Sequence, residues 1–251
     1  MVPRVLLGCH PVGRVLWWGV LAGVGYGLWR RRLGRLRRMP DDFSAYWLRR
    51  ARRTGELRYV ALGDSLAQGL SARRPELGFV GLLADGLADS TGSSVGVLNL
   101  SVTGATVTDV LATQLPRLSA LPGPPPDLVT VCVGSNDVTG GDPDRFRSEF
   151  RELCAGLPAG TLVADVPDFK RGPHRATEAG YARLCRDVLA GFPALRPVRL
   201  ERATRSMRVF ERGADLAHPG NAGHRRFASA FAAALGIRRG GHPTREWRAG
   251  S

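Results

Sequence analysis

From Leu57 onward, short, mostly apolar runs without regular alternation give way in turn to longer stretches in which apolar residues recur every three or four positions. The runs are 58–62 (RYVAL), 95–100, 128–133, 161–166 and 197–200. A half-exposed strand alternates apolar and polar residues; a strand covered on both faces is apolar throughout. The runs therefore predict five buried, parallel strands. Between them, Phe79, Leu82, Leu83, Gly86 and Leu87 keep helical spacing, as do Val107, Val110, Leu111, Leu115 and Leu118. Phe146, Phe150, Leu153, Cys154 and Leu157 form a third stripe, opened by Asp142 as cap and Pro143 as first helical residue. Tyr181, Leu184, Cys185, Val188, Leu189 and Phe192 form a fourth, and Phe227, Ala230, Phe231, Ala234 and Leu235 a fifth. Strands alternating with helices predict an α/β domain over 56–237, a five-stranded parallel sheet with helices on both faces. Pro122–Pro126 is a stiff surface connector before the third strand.

The first 55 residues follow a different pattern. Val15 to Trp29 carries no charge, with Trp17 and Trp18 at one end and Tyr26 and Trp29 at the other. Its 15 residues fall short of the roughly 20 that span a hydrocarbon core, and extending it to Val12 with Arg14 snorkelling gives 18. The expectation is a hydrophobic membrane-anchor helix within 1–38. Arg30, Arg31, Arg32, Arg35, Arg37 and Arg38 follow it and place the larger domain on the cytoplasmic side of a single-pass span. The alternatives are a cleaved secretory signal with Leu21-Ala22-Gly23 near its cleavage site, hence a secreted protein, and a soluble N-terminal helix. Gly19, Gly23 and Gly27 recur every four residues and could pair two such helices weakly into a dimer, or reflect composition alone. Residues 39–55 form a basic juxtamembrane connector in which Phe43, Tyr46 and Trp47 either anchor in a leaflet or pack on the domain.

Charge follows the same division. Of the net +14, residues 1–55 hold +10 and the basic, flexible tail 238–251 holds +3, leaving +1 for 56–237. The central domain thus has no basic face, and nucleic acid is not an expected partner. With 43% hydrophobic and 23% charged residues the chain is a folded protein. Four scattered cysteines make neither a disulfide scaffold nor a zinc site; Cys132, Cys154 and Cys185 read as reduced packing residues.

In a parallel sheet, sites form beyond the carboxyl ends of the strands. Three polar clusters fall there: Gly63-Asp64-Ser65, Ser101 to Thr106, and Gly134-Ser135-Asn136-Asp137. A fourth, Asp215 to Pro219, precedes the last helix. Acyl transfer needs a nucleophile, a base in reach of it, a group orienting the base, and fixed donors for the oxyanion. Ser65 sits where a strand turns into a helix, and Gly63 permits a tight turn. His218 is the candidate base, because His10, His174, His224 and His242 fall elsewhere in the pattern. Asp215, three residues earlier, can hold its Nδ1–H. The Ser65 N–H, the Gly104 N–H and the Asn136 amide are candidate oxyanion donors, Gly104 because no side chain would block approach.

Each of these signals is weak alone, but their order is that of a family. The chain resembles the GDSL-type subgroup of the SGNH hydrolase superfamily, through Gly63-Asp64-Ser65-Leu66, Gly104, Gly134-Ser135-Asn136-Asp137 and Asp215 to Pro219 followed by Gly223-His224. The resemblance covers 57 to about 236. It implies a flavodoxin-like three-layer α/β/α sandwich, Ser65 as nucleophile with its N–H in the oxyanion hole, Gly104 and Asn136 completing that hole, and His218 as base aided by Asp215. It also implies supporting roles for Gly63, Asp64 and Asp137, with Asp64 bracing its loop and Asp137 and His224 stabilising the site walls. Such proteins carry an asparagine shortly before the Gly104 position; here Ser101-Val102-Thr103 intervene after Asn99. The implied reaction is cleavage of small-molecule or lipid esters with no metal and no organic cofactor. Alternatives are an acyltransferase or a deacetylase on lipid or sugar using the same serine. A non-catalytic membrane-tethered binding protein is disfavoured by the intact Ser65, Asn136, Asp215 and His218. Loops 67–78, 137–145 and 166–176 would line the substrate pocket.

Overall fold

The computed structural model describes Gly34 and residues 38–169, 175–213, 215 and 217–237. The chain divides into two units, 1–38 and 39–251. The anchor expected within 1–38 and the tail 238–251 lie outside the described residues, Gly34 and Arg38 apart. Among the described residues no helix is long and apolar enough to cross a membrane.

The larger unit opens with helical residues 39–50 (α1). There follow β1 (Leu57–Gly63), α2 (Ser65–Gln68), α3 (Phe79–Thr91), β2 (Val95–Asn99), α4 (Val107–Asp109), α5 (Leu115–Ser119) and β3 (Leu128–Cys132). The chain continues through α6 (Asp137–Gly140), α7 (Pro143–Gly156), β4 (Leu162–Ala164), α8 (Arg175–Leu189), β5 (Arg196–Val198), α9 (Leu200–Thr204) and α10 (Asn221–Leu235). The strand order is β2-β1-β3-β4-β5, all parallel. This is the flavodoxin-like order, whose direction of winding reverses between β1 and β3. Both strands end at the candidate site.

The period of two along β1 builds two cores. Tyr59 and Ala61 face a cluster with Phe79, Phe227 and Phe231, while Val60 and Leu62 face one with Phe146, Phe150 and Tyr181. Phe79 stacks on Phe231 at 4.7 Å between ring centres, joining α3 to α10. Phe146 meets Tyr181 at 4.7 Å, joining α7 to α8. Full burial of such a ring contributes roughly 2–3 kcal/mol. Cys132 lies in the first cluster, Cys154 and Cys185 in the second, and all three are buried free thiols.

Asp142 caps α7 by accepting the Arg145 N–H, with Pro143 in the first turn as expected. The stripe 107–118, expected as one helix, is interrupted by a π-helical segment, Val110–Gln114. Pro116 supplies no N–H and its ring crowds the carbonyl four residues back, a conflict that local π winding absorbs. Strands β4 and β5 are shorter than their apolar runs, three residues each.

Of the two readings of 39–55, packing on the domain is the one observed. Phe43 and Trp47 are each 4% exposed, and Trp47 donates its indole N–H to the Gln68 carbonyl at 3.0 Å. Arg50 donates to the Val95 carbonyl at 2.9 Å.

Candidate active site

Strand β1 ends in a turn that only glycine can make. Gly63 has φ +143°, and a Cβ there would lie 2.0 Å from the Cys132 carbonyl oxygen. Such a φ is closed to other residues. Both backbone groups of Gly63 are held by one side chain: its N–H donates to Gln114 Oε1 at 2.8 Å, and Gln114 Nε2 donates to its carbonyl at 2.8 Å. Asp64, fully buried, caps α2 by accepting the Leu66 N–H at 2.8 Å. Ser65 is thereby fixed as the first residue of α2.

From across the sheet, His218 meets it. Ser65 Oγ lies 2.8 Å from His218 Nε2, and His218 Nδ1 lies 2.8 Å from Asp215 Oδ2. Asp215 Oδ1 accepts the N–H groups of Ala217 and His218, each at 3.0 Å. The loop bearing both residues is closed at its base by an Arg212–Pro219 bridge and by the Gly213 N–H donating to the His218 carbonyl at 2.8 Å. Burial works to raise the Asp215 carboxyl, but hydrogen bonds from the His218 side chain and backbone and from the Ser71 hydroxyl outweigh it and hold the group well below the usual carboxylate range. An ionised Asp215 keeps the proton on Nδ1, so the Nε2 lone pair faces the serine hydroxyl.

The loops after β2 and β3 close the remaining side. Gly104 has φ +83°, and no protein atom lies within 4 Å of the position of a Cβ. The positive φ of the backbone is a reason for glycine here beside the open approach to its N–H. Asn136 Nδ2 donates one hydrogen to the Ala105 carbonyl at 2.9 Å. That bond sets the plane of the amide beside Gly104. Asp137 accepts the Val107 N–H at 3.2 and 3.3 Å, and burial pushes its carboxyl up. Asn99 bridges the intervening residues, accepting from the Ser101 N–H at 3.1 Å and donating to the Ala67 carbonyl at 2.9 Å. The loop's polar bracing, which the spacing left open, is present.

His224 is fully buried on the first turn of α10 and lies 3.0 Å from the Leu70 carbonyl through Nε2. Burial pushes its imidazole down to about 4, which keeps it neutral. Of the loops expected around the pocket, 67–78 and 137–145 are described, whereas 170–174 lie outside the described residues.

Three residues of the site were absent from the sequence reading. Gln114 sits seven residues after Val107, on the apolar stripe, and a lone polar residue on such a stripe is a signal that could have found it. Gln68 donates to the Ser101 carbonyl and to Ser44, and accepts from Thr103, joining α1 to the loop that carries Gly104. Ser71 donates to Asp215 Oδ2 at 2.7 Å across 144 positions of sequence, and no local pattern announces it.

Comparison with other proteins gives the family and the fold. A family model described as the GDSL-like Lipase/Acylhydrolase family matches residues 61–226. No curated protein matches the chain. Among solved structures, LAE5, an alpha/beta hydrolase enzyme from the metagenome of Lake Arreo, is 22% identical with a TM-score of 0.60, over 74% of this chain and 97% of that one. Axe2, an acetylxylan esterase from Geobacillus stearothermophilus, is 20% identical with a TM-score of 0.57, over 74% of this chain and 96% of that one. The lipase Lip_vut3 from a goat rumen metagenome is 17% identical with a TM-score of 0.60, over 73% of this chain and 99% of that one.

Proposed function

The chain belongs to the GDSL-like lipase/acylhydrolase family of ester-hydrolysing enzymes, and from that premise we propose that it cleaves carboxylic esters through an acyl-enzyme on Ser65. The hydrogen-bonded series Ser65–His218–Asp215, with both links at 2.8 Å, is the observation that carries this reading. His218 Nε2 takes the Ser65 proton as Oγ attacks the ester carbonyl. The N–H groups of Ser65 and Gly104 and the second amide hydrogen of Asn136 receive the oxyanion. Collapse expels the alcohol, protonated by His218. Water, deprotonated by the same Nε2, then attacks the acyl-enzyme and releases the acid and the free serine. Asp215 keeps its charge throughout and stabilises the imidazolium.

The sequence between 57 and 237 has no insertion long enough for a lid over an extended chain, which favours short acyl groups. An acetylxylan esterase among the similar folds is consistent with that choice. Attachment to a membrane through the charge-free stretch 15–29 belongs to the same reading, supported by the arginines on both sides of it. The test is hydrolysis of p-nitrophenyl esters from acetate to palmitate by the full chain, beside Ser65→Ala. Rates falling with chain length, loss of turnover in Ser65→Ala, and a fluorophosphonate adduct on Ser65 are expected. A Ser65→Ala protein with wild-type turnover would remove the mechanism. Product analysis with an added alcohol acceptor separates hydrolysis from acyl transfer.

A further inference from the structure

We propose that Ser71 is a positioning residue of the active site, holding Asp215 in the one orientation that aligns His218. The inference rests on the acyl-enzyme reading and adds to it a residue outside the sequence motifs. Asp215 has four hydrogen-bond donors around it: the Ala217 and His218 N–H groups on Oδ1, and His218 Nδ1 and the Ser71 hydroxyl on Oδ2. A carboxylate has about four lone-pair sites. With all of them occupied it cannot rotate without breaking a bond. The three other donors come from the four residues 215–218, and two of those are backbone groups. Among the described residues, Ser71 alone ties the carboxylate by a hydrogen bond to a different part of the fold.

Three features show that the fold is arranged around this contact. Ser71 has φ +66° and is the only non-glycine residue at positive φ among the described residues. Glycine adopts that conformation without penalty. The hydroxymethyl group is all that serine adds there, and the hydroxyl is committed to Asp215. Gly213 makes room for it, because a Cβ on Gly213 would lie 2.2 Å from Ser71 Cβ and 2.6 Å from its Oγ. The turn bearing Ser71 is also pinned from both sides to the first turn of α10. His224 Nε2 lies 3.0 Å from the Leu70 carbonyl, and the Arg73 N–H donates to Asn221 Oδ1 at 2.8 Å. Helix α10 begins two residues after Pro219, so the Ser71 turn and the Asp215–His218 loop share one base.

The decisive variant is Ser71→Gly, which suits the backbone conformation and removes the hydroxymethyl group, and with it the hydrogen bond to Asp215. With p-nitrophenyl acetate and the full chain, kcat is expected to fall about ten-fold, with KM within about two-fold, as for loss of one charge-assisted hydrogen bond that acts through His218. The melting temperature is expected to stay within about 4 °C of wild type. In an Asp215→Asn background the same substitution is expected to change kcat by less than about two-fold, since the group it orients is already disabled. Wild-type kcat in Ser71→Gly would overturn the assignment, and so would an equal ten-fold fall in both backgrounds, which marks a merely structural role. Ser65→Ala run alongside separates the two levels. If it abolishes turnover while Ser71→Gly is silent, only the role of Ser71 fails. If it keeps turnover, the acyl-enzyme reading fails and the role of Ser71 with it.

Discussion

Asn136 holds its amide ready before any substrate arrives. One hydrogen is spent on the Ala105 carbonyl at 2.9 Å, so the direction of the second is set in advance. A donor prepared in this way acts on charge that exists only in the transition state. Asn136→Ala is expected to lower kcat by about 10²–10³ and leave KM nearly unchanged, as steady-state kinetics would show. A change confined to KM would assign the amide to ground-state binding. His224 supports a prediction of another kind. Folded, it titrates at about 4; unfolded, at its ordinary 6.5. Above 6.5 it is neutral in both states and adds no pH dependence. As pH falls from 6.5 towards 4, the unfolded chain takes up a proton that the folded protein refuses, and stability is lost, by up to about 3 kcal/mol. Urea unfolding across that range should show wild type losing stability relative to His224→Gln, whose amide can still donate to Leu70 but cannot titrate. Parallel curves would show that His224 accepts its proton in place. The sequence made Ser65, Asp215, His218 and Asn136 legible because each lies in a short motif. Ser71 was not, because it acts on a residue 144 positions away and carries no local mark of it, whereas Gln114, 51 positions from Gly63, is marked only as a polar residue on an apolar stripe, which does not say what it binds.

The interrupted helix between Val107 and Ser119 shows how one element sets the geometry of another. The π-helical turn includes Gln114, which is only 1% exposed and paired to both backbone groups of Gly63. The Gly63 carbonyl has a second donor in the Val102 N–H, whereas its N–H has Gln114 alone among the hydrogen bonds described. Gln114→Ala would leave that N–H buried and unpaired, an expected loss of about 1–3 kcal/mol by chemical denaturation, accompanied by lower activity as the turn before Ser65 loosens. Gln114→Glu keeps an acceptor for the N–H but sets a carboxylate against the carbonyl, and should recover only part of either loss. Full activity and stability in both variants would mean that Gly63 holds the turn unaided. Element types and order were readable here, since the apolar stripe covered 107–118 in full. The change of winding was not, because it follows from Pro116 meeting a carbonyl one turn back, a three-dimensional conflict that hydrophobic spacing does not register.

At the scale of the whole molecule, the apolar runs sufficed to predict a parallel sheet with two helical layers, because burial on both faces leaves its imprint on every position of a strand. They could not give the strand order, which depends on which neighbours meet. Attachment through residues 15–29 makes a separate prediction: full chain recovered with membranes should resist 1 M salt, since apolar insertion is not screened, and complete release would restrict the contact to the surface arginines. The two-sided core has a consequence for how the protein opens. Cys132 is buried in the layer that holds Phe79 and Phe231, Cys154 and Cys185 in the layer that holds Phe146 and Tyr181, and burial pushes all three thiols up, Cys154 to about 12. A closed thiol of this kind reacts with an alkylating reagent only while its surroundings are apart. In a Cys9→Ser protein, the alkylation rate of each cysteine, resolved by peptide mass, becomes a clock for its own layer. Equal rates would mean that the sheet parts from both helical layers in a single event. A faster Cys154 and Cys185 would mean that the layer of α7 and α8 breathes while the fold around Ser65 stays shut.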